Sequence, residues 1–440
     1  MKNKIAQLKK HPKYNSFIHW GKLISITGSA QLIVQAVGFA CGILIIRLLP
    51  VQEYAFYTLA NTMLGTITVL ADGGISTGVM AQGGKVWQDK TKLGIVLATG
   101  LDLRRKFAIG SLVISVPILF YLLMHNGASI LMASLIAMAL IPAFYAALSD
   151  SLLEIVPKLH QSILPLQRNQ IAVAIGRLVM SYLTMVVFPW AFIAVLAAGI
   201  PRIWGNMQLR KIVYGLADQK QQPDKEIRTE ILTLVQRIMP TSIYYCVSGQ
   251  ITIWLISVFG NTNSIAQLGA LGRLNMLLSL FTVIIKTLVI PRYAKLAANK
   301  KLLFLRFLQI MGILIVLLSV IVIGIYLFST PILWLLGDAY KGLPFELLLS
   351  IVGSCIALLS GIAFSVYSSR GWAMPPVVLI TINLLTVIGF ASILDLSSLK
   401  GVLFLNIGVS FVAFLQTSLF CIYKILKLKN TTKSGSYVVK

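Results

Sequence analysis

Long runs of apolar residues recur along the chain and are separated by short hydrophilic stretches. Each run is near the roughly 20 residues that a helix needs to cross a bilayer. The pattern therefore predicts an all-α membrane protein with twelve transmembrane helices. The predicted spans are 24–46, 54–72, 107–124, 128–148, 171–188, 190–209, 236–259, 266–290, 307–328, 345–367, 374–394 and 402–423.

Within four predicted spans, polar residues recur at steps of three and four, which places them on one face of each helix. In lipid such a face turns inward, to a neighbouring helix or to a wet cavity. Helix contacts explain the Gly, Ser and Thr positions best, whereas stripes that contain an arginine favour a cavity. The stripes are Thr27, Gln31, Gln35, Gly38 and Gly42; Thr58, Asn61, Gly65, Thr68 and Asp72; Gln170, Arg177, Ser181 and Thr184; and Arg237, Thr241, Tyr244, Ser248 and Thr252.

Four arginines lie inside predicted spans: Arg177, Arg202, Arg237 and Arg273. A basic side chain at mid-bilayer costs roughly 2.5–3.5 kcal/mol, so such residues persist where they face water or a visiting anion. The arginine fork suits bidentate contact with phosphate. We therefore predict a cationic, substrate-binding cavity, although Arg177 and Arg237 are also close enough to the inner surface to snorkel toward headgroups.

The only acid well inside a predicted span is Asp72. Three roles are open for it: pairing with one of the four arginines, carrying a proton in a coupled transport cycle, or ending a helix before Gly73 and Gly74. The pairing or structural role is favoured. Asp150 and Glu154 are predicted to lie at the inner membrane interface.

Charge fixes the predicted topology. The chain is 57% hydrophobic and only 12% charged, against about 25% charged residues in soluble domains. The net charge of +25 would suit nucleic acid, but with a cytoplasmic amino terminus 30 of the 38 Lys and Arg residues fall in cytoplasmic segments and three in external loops. This positive-inside pattern places both termini in the cytoplasm. It assigns the basic charge, including Arg104, Arg105 and Arg210, to topology and lipid headgroups rather than to nucleic acid.

The hydrophilic segment 210–235 divides the spans into six and six. The predicted domains are an N-terminal six-helix bundle with its tail (1–209), a cytoplasmic linker (210–235) and a C-terminal six-helix bundle with its tail (236–440). Because both halves start on the cytoplasmic side, any repeat is parallel. The four cysteines and four histidines show no metal-ligand spacing, so neither a metal, a cofactor nor an enzymatic activity is predicted.

Several short segments resemble one family of exporters. They are 47–57 (RLLPVQEYAFY), 70–78 (LADGGISTG), 167–168 (QR), 176–178 (GRL), 268–274 (LGALGRL) and 291–296 (PRYAKL). They are similar to the polysaccharide transporter family, the Wzx-type flippases of the multidrug/oligosaccharidyl-lipid/polysaccharide exporter (MOP) superfamily. The resemblance implies a V-shaped fold of two six-helix bundles.

It also implies a function: flipping an undecaprenyl-pyrophosphate-linked oligosaccharide, such as an O-antigen repeat unit, across the bacterial inner membrane by alternating access. Its partners would be that lipid-linked oligosaccharide and membrane lipids, with polysaccharide polymerase and chain-length machinery as further candidates. Two alternatives stay open. A multidrug exporter of the same superfamily usually moves cations and would need acids in its cavity. A membrane glycan polymerase or glycosyltransferase would need large loops or catalytic acids outside the membrane.

Overall fold

The computed structural model describes residues 12–290, 293, 296–297, 299–370, 372 and 374–428; within its helices, the side chains of 12–27, 237–238, 241–242, 245–247, 249, 280, 283–284 and 287–288 are not described. The described part contains helices and no strand, which confirms the predicted all-α class. The predicted cytoplasmic termini and the motif at 291–296 fall largely outside the described residues.

Sixteen α-helices form the described part, with one short 3₁₀ turn at Asp338–Tyr340. They are α1 (Pro12–Leu48), α2 (Val51–Asp72), α3 (Ile75–Val86), α4 (Lys90–His125), α5 (Ile130–Leu153), α6 (Ile155–Leu159), α7 (Ile163–Val187), α8 (Ala191–Tyr214), α9 (Lys225–Phe259), α10 (Thr262–Asn275), α11 (Leu278–Leu288), α12 (Lys300–Leu327), α13 (Ser329–Leu336), α14 (Pro344–Ser368), α15 (Pro376–Ile393) and α16 (Leu399–Leu426).

Eight helical segments among the described residues are long and apolar enough to cross a membrane, or nine if α2 and α3 count as one broken span. The helices α8 and α9, which carry Arg202 and Arg237, are not among them. Each predicted span overlaps a helix, but 266–290 falls on two, α10 and α11. The multi-pass character is therefore supported, and the count of twelve stays a prediction.

A pair of glycines separates α2 from α3, which are bent by 46°. Gly73 and Gly74 have φ of 49° and 100°, a region in which residues with a Cβ are strained. The N–H of Gly73 donates to the carbonyl of Val69 at 3.0 Å. Beyond the bend, Asp72 accepts hydrogen bonds from the N–H and the hydroxyl of Ser76 at 3.1 and 2.7 Å. Asp72 thus contacts the first turn of α3 across the glycine pair.

The chain forms two compact units, residues 1–251 and 252–440. In the first unit α5 packs against α8, α8 against α7, α7 against α1, and α2 against α4. In the second, α14 packs against α12 and α16, while α15 packs against α16 and α10 and α11 pack against α14. The division falls inside α9, whereas the predicted domain boundaries lie at 209 and 236.

Small residues let α8 approach its neighbours closely. A Cβ on Gly205 would lie 2.2 Å from the side chain of Val173 in α7, and one on Gly199 would lie 3.0 Å from Ala143 in α5. Close approach of this kind is how helices associate in a membrane, where burial of apolar surface gives little driving force. These contacts hold Arg202, which lies between the two glycines, against both α5 and α7.

The segment predicted as a linker, 210–235, packs onto the first unit. The N–H of Asp218 donates to the carbonyl of Lys90 at 3.0 Å, and the N–H of Asp224 donates to the hydroxyl of Thr99 at 2.9 Å. Ile231 and Val235, on the first turns of α9, are buried in a core made by α3, α4, α5, α6, α7 and α8. Hydrogen bonds from the Gln221 side chain and the N–H of Lys220 hold the pKa of Asp218 below its usual value, so the carboxylate that orders this turn stays charged.

Candidate functional site

A cavity of about 400 Å³ lies within the first unit, between α1, α2, α5, α7 and α8. Polar and charged side chains interrupt its otherwise apolar wall. Residues of three predicted polar stripes contribute to it: Gln31 and Gly38 from α1, Asn61 from α2, and Gln170 and Arg177 from α7. The other polar lining residues are Tyr57, Asp150, Glu154, Asn169 and Arg202.

Arg202 is held by the carboxylate of Asp150 on α5, a neighbouring helix of the same unit. Its Nε donates to Asp150 Oδ2 at 3.1 Å, and the two side chains are 41% and 17% exposed. Asn206, one turn further along α8, donates to Asp150 Oδ1 at 2.7 Å. The charge of Arg202 is therefore neutralised by a carboxylate that also lines the cavity, so this arginine does not depend on a visiting anion for compensation.

The fork of Arg202 stays available. Only Nε is engaged by Asp150, and within the described residues neither Nη atom makes a hydrogen bond. A guanidinium anchored in this way keeps its two terminal amino groups in a fixed orientation, which is the geometry that binds phosphate or carboxylate through two parallel hydrogen bonds.

A chain of amides and carboxylates joins α1 to α7 and to the end of α5. Gln31 Nε2 donates to Gln170 Oε1 at 3.0 Å, and Gln170 Nε2 donates to Glu154 Oε1 at 2.9 Å. Glu154 also pairs with Lys158 at 2.7 Å. Its negative charge is therefore compensated by a residue outside the cavity, while the amides beside it can both donate and accept hydrogen bonds.

Arg177 lines the same cavity as Arg202. It is half-buried, and its Nη2 donates to the hydroxyl of Tyr57 on α2 at 3.2 Å. The structure therefore brings two of the four predicted substrate-binding arginines to one site. Their role in binding a substrate stays a prediction.

The other two predicted arginines are placed differently. Arg273 belongs to the second unit, on α10, where it is half-buried and its Nη1 lies 4.0 Å from the sulfur of Met276. Arg237 lies on α9, but its side chain falls outside the described residues.

The structure describes the side chains of three of the four predicted arginines, Arg177, Arg202 and Arg273. Asp72 pairs with none of these three. Its partner is Arg104, a residue assigned from sequence to a cytoplasmic segment, and the Arg104 side chain is 3% exposed. Arg104 also donates to the carbonyl of Leu148 at 2.6 Å and to Ser76 Oγ at 3.1 Å. Asp72 thus belongs to a buried network apart from the cavity wall.

Sequence reasoning missed Asp150, Asn206 and Arg104. A signal existed for Asn206, because it follows Arg202 by four residues and so shares its helix face. No such signal existed for the two ion pairs, whose members lie on different helices. In the described part of the chain, no three His, Cys, Asp or Glu side chains come together as metal ligands would.

No protein-family model and no curated protein matches the sequence. Solved structures do match in fold. A multidrug resistance MATE family transporter of the MOP superfamily, in its inward-facing conformation, matches with a TM-score of 0.73 and 17% identity over 91% of this chain and 96% of that one. An outward-facing MATE family transporter of the same superfamily matches with 0.65 and 16% identity over 93% and 97%.

A third structure is a MOP superfamily transporter from Pyrococcus furiosus, described as having a binding pocket of reverse polarity that suggests a different function. It matches with a TM-score of 0.63 and 17% identity over 93% of this chain and 97% of that one. At such identities the likeness concerns the fold alone. The chain therefore has the fold of the MATE transporters of the MOP superfamily.

Proposed function

We propose that the protein is a flippase that moves an undecaprenyl-pyrophosphate-linked oligosaccharide from the cytoplasmic to the outer leaflet of a bacterial inner membrane by alternating access. The observation that carries the proposal is the cavity in which Arg202, fixed through Nε by Asp150, keeps its terminal fork available beside Arg177. Pyrophosphate is the kind of anion that two arginines bind well.

The neutral part of the wall supports a glycan. Gln31, Asn61, Asn169 and Gln170 line the cavity, and each amide offers both donors and acceptors. Sugar hydroxyls also donate and accept, so an amide-rich wall suits an oligosaccharide better than an apolar drug. The shared fold favours a transporter over a glycan polymerase or glycosyltransferase, although fold alone does not determine the substrate.

A multidrug exporter is the second candidate, and two observations favour it. Asp150 and Glu154 line the same cavity as the arginines, and carboxylates would attract a cationic drug. Two of the structural neighbours are multidrug resistance transporters. The Pyrococcus neighbour shows that one fold accommodates pockets of opposite polarity, so the charge that binds the substrate must be tested directly.

The first test compares glycan export in cells that lack the gene and carry variants at equal membrane levels. We expect Arg177→Ala and Arg202→Ala each to reduce export of the lipid-linked oligosaccharide by about 10- to 100-fold, the range that follows from losing a hydrogen bond to a charged group. The matched control is Arg168→Ala, an exposed arginine on α7 outside the cavity lining. Accumulation of the lipid-linked oligosaccharide in the inner leaflet measures the defect.

A double variant separates substrate binding from simple charge balance. If Arg202 only neutralises Asp150, then Asp150→Asn combined with Arg202→Gln restores export, whereas a binding role for Arg202 leaves the double variant as defective as Arg202→Ala. Normal export in the deletion strain contradicts the flippase. Loss of drug resistance in the deletion strain, reversed by the wild type but not by Asp150→Asn, favours the multidrug exporter instead.

A further inference from the structure

A second cavity of about 340 Å³ lies between α4, α5 and α8 of the first unit, separate from the candidate substrate site. Three arginines line it, Arg104, Arg105 and Arg210, together with Tyr145, Ser149 and Asn206. Its described lining includes no acidic residue. We call this cavity the arginine crevice, and we propose that it binds the phosphate of an anionic membrane lipid headgroup.

Not every guanidinium group of the arginine crevice is paired with a described residue. Arg104 is neutralised by Asp72, and its Nε is buried without a hydrogen bond to any described residue. Arg105 is exposed and, within the described part of the chain, has neither a hydrogen-bond nor an ion-pair partner. Arg210 donates only through Nε, to Asn206 Oδ1 at 3.1 Å. The crevice thus contains the exposed guanidinium groups of Arg105 and Arg210 and the buried guanidinium group of Arg104.

Asn206 fixes this arrangement. Its Nδ2 donates to Ser149 Oγ and to Asp150 Oδ1, both at 2.7 Å, which leaves Oδ1 to orient Arg210. As with Arg202, an arginine anchored through Nε keeps its fork available, and a phosphodiester is a suitable partner for two such groups.

The depth of the crevice matches a membrane surface. Arg105 precedes the end of α4 at His125 by 20 residues, and Arg210 follows the start of α8 at Ala191 by 19. At 1.5 Å per residue both arginines lie about 30 Å from those ends, which is the thickness of the hydrocarbon core. Aromatic pairs stand at the opposite ends, Tyr121 with His125 and Phe188 with Trp190, as expected at an interface.

The surface beside the crevice is apolar. Ile141 and Tyr145 on α5, and Trp204 and Met207 on α8, are exposed large side chains of this unit. Acyl chains resting on that face would bring their headgroup to Arg105 and Arg210. Basic pockets between helices at the cytoplasmic surface bind anionic headgroups in other membrane proteins, and the predicted topology places these arginines on the cytoplasmic side.

The test measures lipid binding to the purified full-length chain in detergent by native mass spectrometry. The probes are phosphatidylglycerol, phosphatidylcholine and sodium phosphate. The variants are Arg105→Gln with Arg210→Gln, and a matched control, Lys106→Gln with Lys211→Gln, which removes two exposed charges one residue away but outside the crevice lining. We expect the arginine pair to weaken phosphatidylglycerol binding by about 10- to 30-fold and the lysine pair to leave it nearly unchanged. Phosphatidylcholine should bind all proteins alike.

Three results would overturn the proposal: equal phosphatidylglycerol binding by all proteins, equal losses in the arginine and lysine pairs, or saturating sodium phosphate displacing the lipid from the wild type, which would indicate a site for soluble phosphate. Arg105→Gln alone provides a second variant, because the described Arg105 side chain holds no other residue in place. Each variant must first match the lipid-free melting temperature of the wild type.

Discussion

Asp72→Asn is expected to destabilise the first unit by about 3–5 kcal/mol, because it leaves the buried charge of Arg104 without its counter-ion. The Arg104 side chain is 3% exposed and cannot turn to water. An amide at position 72 would retain part of the hydrogen bonding to Ser76 but none of the charge. The melting temperature of the purified protein in one fixed detergent measures the loss.

Two further variants show whether the buried charge is the cause. Asp102→Asn removes a carboxylate of the same unit that pairs with Lys106 at 2.7 Å on an exposed helix surface, where such pairs contribute about 0.3–0.5 kcal/mol. Asp72→Leu combined with Arg104→Met removes both charges and should recover much of the stability. Equal melting temperatures for Asp72→Asn and Asp102→Asn would contradict the buried pair.

Gly94→Ala is the second change with a large expected effect. A Cβ at this position would lie 2.1 Å from the carbonyl oxygen of Asp218, so the segment after α8 must move away. That movement breaks the hydrogen bond from Asp218 N–H to Lys90 and draws the buried Ala217 out of the core. We expect a loss of about 1–3 kcal/mol or more.

The experiment combines melting temperature with limited trypsin digestion. Cleavage after Lys220 and Lys225 should accelerate in Gly94→Ala, since proteases act on chain that has left the folded surface. The matched control is Gly84→Ala on α3, whose added Cβ would meet only Leu159, at 4.0 Å. Its free energy of unfolding should stay within about 1 kcal/mol of the wild-type value. Unchanged digestion of Gly94→Ala would mean that the segment is not held as described.

Hydropathy predicted the helices well, because a helix in lipid must satisfy its own backbone and cover about 30 Å with apolar side chains. The same rule does not show which polar residues are buried by protein. Arg104 precedes Arg105 and Lys106 in a basic run, and a basic run is typical of a solvated surface. Only the fold shows that α4 begins at Lys90 and carries Arg104 into contact with Asp72.

The candidate site was predicted in part. Polar stripes indicated the faces of α1, α2 and α7 that line the cavity, and Arg177 and Arg202 meet there. The compensation of Arg202 by Asp150 could not be predicted, because the two residues lie on different helices and no local spacing joins them.

The packing of the predicted linker could have been predicted. Ile227, Ile231 and Val235 recur every four residues, the period of a buried helix face, and the structure packs all three onto the first unit.

The packing of Ile231 and Val235 has a consequence for synthesis of the protein. Domains fold largely as units, with the N-terminal one first as the chain emerges. The part of the first unit's core that contains Ile231 and Val235 stays open until the opening turns of α9 have been made, after its sixth predicted span has left the ribosome. Co-expressed fragments cut at 209 should therefore assemble poorly, and fragments cut at 251 would divide α9 itself. The chain has two compact units, yet no single cut in the sequence separates them without dividing α9 or opening the core of the first unit.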